Sequence, residues 1–436
     1  MLGTRSRRWL FASIPAALAT AAGVAFAAAG SLDPFFGTGG VVQIPVTELV
    51  APVAAAAVVQ PDGKVVVGGR DEGPTNVAWH WRVRRLLSDG APDTGFGTAG
   101  QVVLFGASTS HRDRLCDVAL DGVGRILAVG AHGAGGPTPT VVRLNADGSL
   151  DSSFGVGGVS SFAIPGAYAS GTARAVAIQP DGKIVVAGTV HLVAKKTKKD
   201  PDGYQNARFA VRLHTDGSLD ATFGVGGICV NDLTTGDDAV RDRCLGLQSD
   251  GSIVLGGDAG GTQPGAISRI RSNGTVDTGF GPVGMTFVPM QLAVDVWDRA
   301  LVSGTSGVDA VVARYTASGG VDASFGVNGK TTFHDPLYTT AGYGGLAVRP
   351  DGRVRMVTRV ALPSSQARIR PVGLLDNGQL DAAFGTGGLG DPITVAVGLP
   401  QDLALASDGA CFIVGSLAEI GVPFSQKWFV ARYLAD

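Results

Sequence analysis

The residues of this 436-residue chain that could do chemistry are arginines and aspartates placed just before apolar segments. A guanidinium group beside a carboxylate can hold an anion or the hydroxyl groups of a sugar. Ion pairs that only join neighbouring parts of the fold are the alternative, and the sequence leaves both open. We therefore treat seven residues as candidate ligand-binding positions: Arg112, Asp113, Arg114, Arg174, Arg241, Asp242 and Arg243.

Motifs for catalysis and metal binding are not found in the sequence. No two of the six histidines have the spacing of a shared metal site, and no Gly-x-Ser-x-Gly elbow occurs. We predict no catalytic residue, no metal ion and no cofactor, although a catalytic set assembled from distant segments stays open. The cysteines have no metal-ligand spacing. Cys229 and Cys244 either form a disulfide that clips one loop or are two buried free thiols.

The elements that must position these residues come from an internal repeat. The phrase Asp-x-x-Phe-Gly recurs seven times, with a mean period of roughly 58 residues. Its aspartates are Asp33, Asp93, Asp151, Asp220, Asp277, Asp322 and Asp381. A second phrase, best seen as Gln-Pro-Asp-Gly-Lys-Ile-Val-Val-Ala-Gly at 179–188, keeps pace with the first. Two markers in a constant order indicate a solenoid, a propeller or an array.

Each copy of the repeat predicts four short β-strands. In one full copy these are residues 173–178, 183–188, 208–213 and 226–230, with Asp-Gly hairpin turns between the first and second strands and between the third and fourth. Helical periodicity is absent after the first thirty residues. The shortest copy keeps four strand candidates at 285–288, 292–296, 301–304 and 310–315. In every copy, we expect the Asp of the Asp-x-x-Phe-Gly phrase to accept N–H groups within its own turn and the Phe of this phrase to lie between neighbouring units.

The two ends of the repeat array decide between an open stack and a closed ring. The last copy stops before its Asp-x-x-Phe-Gly phrase, and residues 30–37 supply that missing piece, followed by a strand at 41–46. An N-terminal strand that completes the last unit closes the ring and removes the open sheet edges. We predict an all-β, seven-bladed β-propeller with four-stranded blades, closed in this way.

The two phrases together resemble the delta-60 repeat, a bacterial β-propeller family whose biochemical role is unassigned. Residues 147–158 and 178–188 carry the resemblance best, and it extends over nearly all of residues 30–436. The resemblance implies a propeller in an extracytoplasmic setting. It implies no reaction and no catalytic residue.

The first 29 residues are predicted to be an export signal, and residues 30–436 a single propeller domain. Arg5, Arg7 and Arg8 precede an Ala-rich apolar run, so the signal is either an ordinary secretory signal or a twin-arginine signal. No later segment is apolar for long enough to span a membrane. We therefore expect a secreted or periplasmic protein without a transmembrane segment in its mature chain.

Composition and loop variation set the expected function. A net charge of -2, 17 % charged residues and 66 glycines exclude disordered, coiled-coil, collagen-like and nucleic-acid-packaging proteins. The loops opposite the Asp-Gly hairpins vary widely, the longest carrying four lysines at 195–199. We expect a non-catalytic propeller that presents these loops to a protein, glycan or cell-envelope partner and binds no nucleic acid. The alternative is a hydrolase or lyase with its site at the channel mouth.

Overall fold

The computed structural model describes most of the chain after the first 27 residues. The described ranges are 28–45, 53–72, 79–105, 113–133, 137–166, 168–193, 204–231, 238–259, 265–280, 285–334, 345–361, 367–395, 397–418 and 426–435. The predicted export signal therefore lies outside the described residues, apart from its last two positions. None of the described residues forms a helix that is long and apolar enough to cross a membrane.

Twenty-seven strands in seven antiparallel sheets make up the described regular structure. Strand β1 is Val41–Pro45. The strands of blades 1 to 3 are β2 (Val53–Val59), β3 (Val65–Glu72), β4 (Trp79–Leu86) and β5 (Gln101–Leu104); β6 (Arg114–Leu120), β7 (Ile126–His132), β8 (Thr138–Leu144) and β9 (Val159–Ser161); and β10 (Tyr168–Ile178), β11 (Ile184–Val193), β12 (Tyr204–Leu213) and β13 (Ile228–Asn231). The strands of blades 4 to 6 are β14 (Asp238–Leu247), β15 (Ile253–Ala259) and β16 (Ala266–Ile270); β17 (Val288–Val294), β18 (Ala300–Ser306), β19 (Asp309–Tyr315) and β20 (Lys330–Phe333); and β21 (Leu346–Val348), β22 (Val354–Ala361), β23 (Ala367–Leu374) and β24 (Ile393–Val395). Blade 7 combines β25 (Val397–Leu405), β26 (Cys411–Ala418) and β27 (Gln426–Tyr433) with β1.

The local sequence explains why each blade begins with a hairpin. Gly182 has a φ of +83°, and the Asp181 carboxylate accepts a hydrogen bond of 3.1 Å from the Lys183 N–H, so the chain reverses between β10 and β11. The next four residues, 184–187, are all buried. A strand that is apolar on both faces must be covered on both faces, and neighbouring blades provide that cover.

The hydrophobic core is divided into seven clusters, each between two neighbouring blades. One of them joins Val65 and Val67 of blade 1 to Phe412, Val414 and Trp428 of blade 7. The first and last blades therefore pack on one another like any other pair. The ring is closed, as the sequence predicts.

The N-terminal strand completes the last blade. β1 pairs antiparallel with β27, with Val41 opposite Ala431. Before β1, the Gly30 N–H donates to the Leu434 oxygen at 3.0 Å, and the Asp33 N–H donates to the Arg432 oxygen at 2.9 Å. The predicted closure by residues from the beginning of the chain is confirmed.

Blade 4 is the one whose described part departs from the four-stranded pattern. Its sheet contains β14, β15 and β16 only. Residues 285–287 run beside the start of β16, where the Met285 N–H donates to the Gly265 oxygen at 2.8 Å, but they do not form the strand predicted at 285–288. β17 begins at Val288 instead and opens blade 5.

The disulfide alternative for Cys229 and Cys244 is wrong, since both are buried free thiols. Cys229 packs with Leu245 and Leu255 between blades 3 and 4, whereas Cys244 packs with Leu292 between blades 4 and 5. The two thiols thus lie on opposite faces of blade 4. Burial raises the pKa of the Cys229 thiol to about 11, which keeps it protonated and unreactive at neutral pH.

Candidate functional site

The ring has two chemically different ends. The hairpin face carries the turns between first and second strands and between third and fourth strands, such as residues 179–183 and 214–227. The loop face is the opposite end, where second strands connect to third strands and where one blade crosses to the next. On each face, a carboxylate that is already paired within the fold is not available to bind a ligand.

On the hairpin face, the repeated Asp belongs to its own turn. Asp151 Oδ1 accepts hydrogen bonds from the Ser153 N–H at 3.0 Å and the Ser153 hydroxyl at 2.6 Å. Its Oδ2 accepts a hydrogen bond of 2.7 Å from Arg143 Nε. The hydrogen bond from the Ser153 hydroxyl, opposed by burial and helped by Arg143, lowers the pKa of Asp151 to about 2. The predicted role of this carboxylate as a turn acceptor is confirmed.

The same arginine holds the repeated Phe. The Arg143 guanidinium lies 4.5 Å above the Phe154 ring, and that ring is fully buried. A Cβ added to Gly217 of the next blade would lie within 2.8 Å of Phe154, and the Gly155 N–H donates to the Asp216 oxygen at 2.7 Å. Phe154 therefore fills the joint between two blades, as expected.

This arginine–aspartate pair recurs in every blade. The pairs are Arg85–Asp93, Arg143–Asp151, Arg212–Asp220, Arg269–Asp277, Arg314–Asp322, Arg355–Asp381 and Arg432–Asp33. In blade 6, Gly373 stands at the usual arginine position, and Arg355 from the second strand takes its place at 3.3 Å. The arginines of the six blades other than blade 6 also donate to a backbone oxygen of the next blade, so these charged groups join blades to one another and we assign them no ligand.

Two buried carboxylates of the innermost strands also have structural partners. Asp117 Oδ2 accepts the Val176 N–H at 3.0 Å, and Asp402 Oδ2 accepts the Ala57 N–H at 2.8 Å. Both acceptors reach the innermost strand of the next blade. They satisfy backbone donors at the inner edges of these sheets, where no further strand pairs.

The loop face carries a different arrangement, around Asp113. Asp113 is 1 % exposed, and its Oδ2 lies 2.9 Å from His132 Nδ1, an ion-pair distance without the angle of a well-aligned hydrogen bond. Asp113 directly precedes β6, and His132 ends β7. The His132 side chain is 28 % exposed, so a buried carboxylate orients an imidazole that reaches the surface.

Two aromatic residues complete this Asp113–His132 cluster. The Phe105 ring stacks on the His132 ring at 3.7 Å with an angle of 12° between the planes, and it meets Trp81 edge-on at 5.2 Å. Phe105 holds a left-handed φ of +61°, which costs a non-glycine residue on the order of 1 kcal/mol. The packing with His132 and Trp81 offsets that strain. Blades 1 and 2 thus jointly build one polar-aromatic cluster at the loop face.

The other predicted site residues are not assembled into one described site. Arg112 lies outside the described residues, Arg114 is half-buried in β6, and Arg174 occupies the bulge between Ala173 and Ala175 of β10. The backbone of 241–243 lies in β14 where the register shifts, and the side chains of these three residues lie outside the described part: Arg241, Asp242 and Arg243. The long loops, including 195–199, also lie largely outside the described residues.

His132 and Phe105 were not singled out by the sequence analysis, which tests the histidines only for the spacing of a shared metal site. Other described histidines have simpler surroundings; His334 pairs with Asp309 at 2.6 Å, and its side chain is 57 % exposed. Within the described ranges, no group of three His, Cys, Asp or Glu residues is close enough to hold a metal ion.

The fold and its closure define the class of protein: a seven-bladed β-propeller. Residues 60–96, 124–154, 179–223 and 248–280 match the family described as "Domain of unknown function (DUF5122) beta-propeller". Each of the four segments is part of one copy and ends at the Phe of its Asp-x-x-Phe-Gly phrase, so the resemblance to the delta-60 repeat family is confirmed. No curated protein matches the chain in sequence.

Solved structures similar to this chain are propellers of distant sequence. The Dos1 propeller has a TM-score of 0.51 at 9 % identity, covering 89 % of this chain and 95 % of its own. YCF48 bound to D1 peptide has a TM-score of 0.49 at 13 % identity, covering 94 % and 98 %. Virginiamycin B lyase from Staphylococcus aureus has 0.47 at 11 % identity, covering 90 % and 98 %. At such identities the likeness to the Dos1 propeller shows the fold alone, and the two lower scores carry no argument.

Proposed function

We propose that this propeller is an exported binding protein that holds a glycan of the cell envelope on its loop face and catalyses no reaction. The observation that carries the proposal is the Asp113–His132 cluster. The imidazole beside the buried carboxylate can exchange hydrogen bonds with sugar hydroxyl groups, and the half-buried Phe105 ring next to it offers an apolar surface to a sugar, whereas Trp81 is fully buried and supports Phe105 from within. A protein partner on the same face is the other outcome that the test below distinguishes.

The difference between the hairpin face and the loop face supports this proposal. On the hairpin face, the repeated arginines and aspartates are engaged with one another and with the next blade. Variable loops over a rigid ring are the usual place for a binding site, because they change without disturbing the core. Export, predicted from residues 1–29, brings this face into contact with envelope polysaccharides.

Binding to purified peptidoglycan sacculi tests the proposal. We expect residues 30–436 to sediment with the sacculi and soluble muropeptides to compete. His132→Ala should weaken binding at least tenfold, whereas His334→Ala, a matched change in another His–Asp pair, should leave it unchanged. The absence of binding to sacculi and to a glycan array, or equal effects of the two variants, would overturn the proposal; retention on immobilised envelope protein alone would identify a protein partner instead.

A hydrolase or lyase with its site at the loop-side channel mouth is the second candidate. The 2.9 Å contact between Asp113 Oδ2 and His132 Nδ1 favours it, since a carboxylate that orients a histidine is also the arrangement of a general base. Turnover of a panel of nitrophenyl esters, lactones and glycosides tests this second candidate. Turnover that His132→Ala abolishes and His334→Ala leaves unchanged would establish the enzyme and exclude the purely binding role.

A further inference from the structure

A cavity of about 240 Å³ lies between blades 4 and 5, where other blades have a fourth strand. Residues 285–287 pass this place without forming a full strand, and among the described residues their backbone hydrogen bonds are the two with Gly265. Apolar walls come from Met285, Phe287 and Ala313, all of them buried. The cavity lies toward the hairpin face, away from the Asp113–His132 cluster, so it is independent of the function proposed above.

A tyrosine hydroxyl opens into this cavity. Tyr315 is 4 % exposed, and among the described residues none forms a hydrogen bond with its hydroxyl. The corresponding residue of blade 7, Tyr433, donates from its hydroxyl to the Asp391 oxygen at 3.1 Å. Burial raises the pKa of Tyr315 to about 12, so the hydroxyl keeps its proton at neutral pH and can donate it to a ligand.

A lysine stands at the rim of the same cavity. Lys330 is exposed, and its Nζ lies 3.5 Å from the Thr286 hydroxyl. The residues at this position of the other copies are uncharged: Val41, Gln101, Val159, Ile228, Met285 and Leu389. Lys330 is therefore a departure from the repeat, whereas Tyr315 shares its residue type with Tyr433 of blade 7; Lys330 and Tyr315 line the same cavity.

The strand register places these two donors on one face. Lys330 pairs directly with Ala313, and Tyr315 follows Ala313 by two residues on β19. Directly paired residues and residues two apart point to the same side of a sheet. The ammonium and the phenol hydroxyl thus border one apolar space and both offer protons to an acceptor.

We infer that this cavity binds a small apolar carboxylate, with its carboxylate group at Lys330 and Tyr315 and its hydrocarbon part against Met285 and Phe287. The size fits such a ligand, since a cavity of about 150 Å³ already holds benzene. The space is smaller than that of pockets for drug-sized molecules and is open to solvent on one side, so it encloses a small ligand or a small part of a larger one. A lysine ammonium and a neutral hydroxyl together form charge-assisted hydrogen bonds to a carboxylate.

Calorimetric titration with 3-phenylpropanoate tests the inference, with 3-phenylpropan-1-ol as the uncharged probe of similar shape. We expect the acid to bind with a Kd of roughly 0.1–1 mM and the alcohol to bind at least fivefold more weakly. Lys330→Leu should weaken binding of the acid at least fivefold and leave the alcohol unchanged. This variant carries the residue that blade 6 has at the same position, so we expect the fold to tolerate it.

Matched tyrosine variants separate the cavity from the fold. Tyr315→Phe should weaken binding of the acid two- to threefold, whereas Tyr433→Phe, whose hydroxyl has a backbone partner, should not change it. Ala313→Leu should fill the cavity and abolish binding of both probes while circular dichroism stays unchanged. Equal affinities for acid and alcohol, no saturable binding of the acid, or equal effects of the two tyrosine variants would each overturn the inference.

Discussion

Arg212 Nε donates a hydrogen bond of 2.7 Å to Asp220 Oδ2, and the same guanidinium reaches into the next blade. Its Nη1 donates to the Ser272 oxygen at 2.6 Å, and its Cζ lies 4.8 Å from the centre of the Phe223 ring. One side chain therefore binds the turn of its own blade, covers the buried Phe and fixes the neighbouring hairpin. The stability of the ring depends on such joints, because each blade contacts mainly its two neighbours.

Arg212→Met is expected to lower the free energy of unfolding by about 3 kcal/mol, since it leaves the buried Asp220 carboxylate without its closest cationic partner. Urea denaturation measures the loss. Arg271→Met is the matched control: the Arg271 side chain is 53 % exposed, and Arg269 still pairs with Asp277, so we expect a loss below about 1 kcal/mol. Equal losses would contradict the structural role of the joint.

Phe36→Ala should cost about 3–5 kcal/mol, because it opens a cavity in the core between blades 7 and 1. Phe36 is fully buried and meets Phe412 edge-on at 5.6 Å, whereas its neighbour Phe35 is 83 % exposed. Phe35→Ala should therefore change stability by less than about 0.5 kcal/mol. Thermal and urea unfolding measures the stability of the two variants. A similar loss in both would show that Phe36 does not fill the core between blades 7 and 1.

Removal of residues 30–45 should lower the Tm by at least about 5 °C, because it takes β1 from the edge of β27 and Phe36 from the core. Differential scanning calorimetry measures the shift. A synthetic peptide of residues 30–45 added in trans should restore part of it. An unchanged Tm in the truncated chain would mean that β1 does not hold the ring closed.

Acid should destabilise the protein below about pH 4. The Ser153 hydroxyl, against the effect of burial and together with Arg143, lowers the pKa of Asp151 from 3.8 to about 2, and the hydrogen bond from Arg269 lowers the pKa of Asp277. The folded chain therefore binds fewer protons than the unfolded chain between about pH 4 and 2, so this stability is complete above pH 4 and is lost as the pH falls.

Urea unfolding at pH 5, 3.5 and 2.5 measures this dependence. Asp151→Asn should make it less steep, because an amide does not titrate while Asp277 still does, and Ser153→Ala should reduce it by removing the hydroxyl donor. A pH dependence in both variants as steep as that of the unchanged chain would show that other groups account for the acid sensitivity.

The repeat could be read from the sequence because its information is local. The predicted strand at 208–213 is the second half of β12, and the hairpin at Pro180-Asp181-Gly182 lies where expected, since Asp-Gly turns and short apolar runs act within a few residues. Ring closure was also predictable, because the missing piece of the last copy stands near the beginning of the chain. The prediction of a strand at 285–288 in the shortened copy was wrong. A strand forms only where the neighbouring strand, here β16 of blade 4, is long enough to pair with it.

The sequence alone thus determined the number of blades, the joints made by Asp-x-x-Phe-Gly and the partner of β27. Tertiary structure decided which polar residues meet. The bulge between Leu115 and Asp117 shifts β6 by one residue against β7, and continuing the pairing of Arg114 with Ala131 brings Asp113 opposite His132. The same shift recurs in the first strands of blades 1, 3, 5 and 7, so the bulge belongs to the repeat, but the register of two paired strands is a property of the sheet and cannot be read from the spacing of residues along the chain.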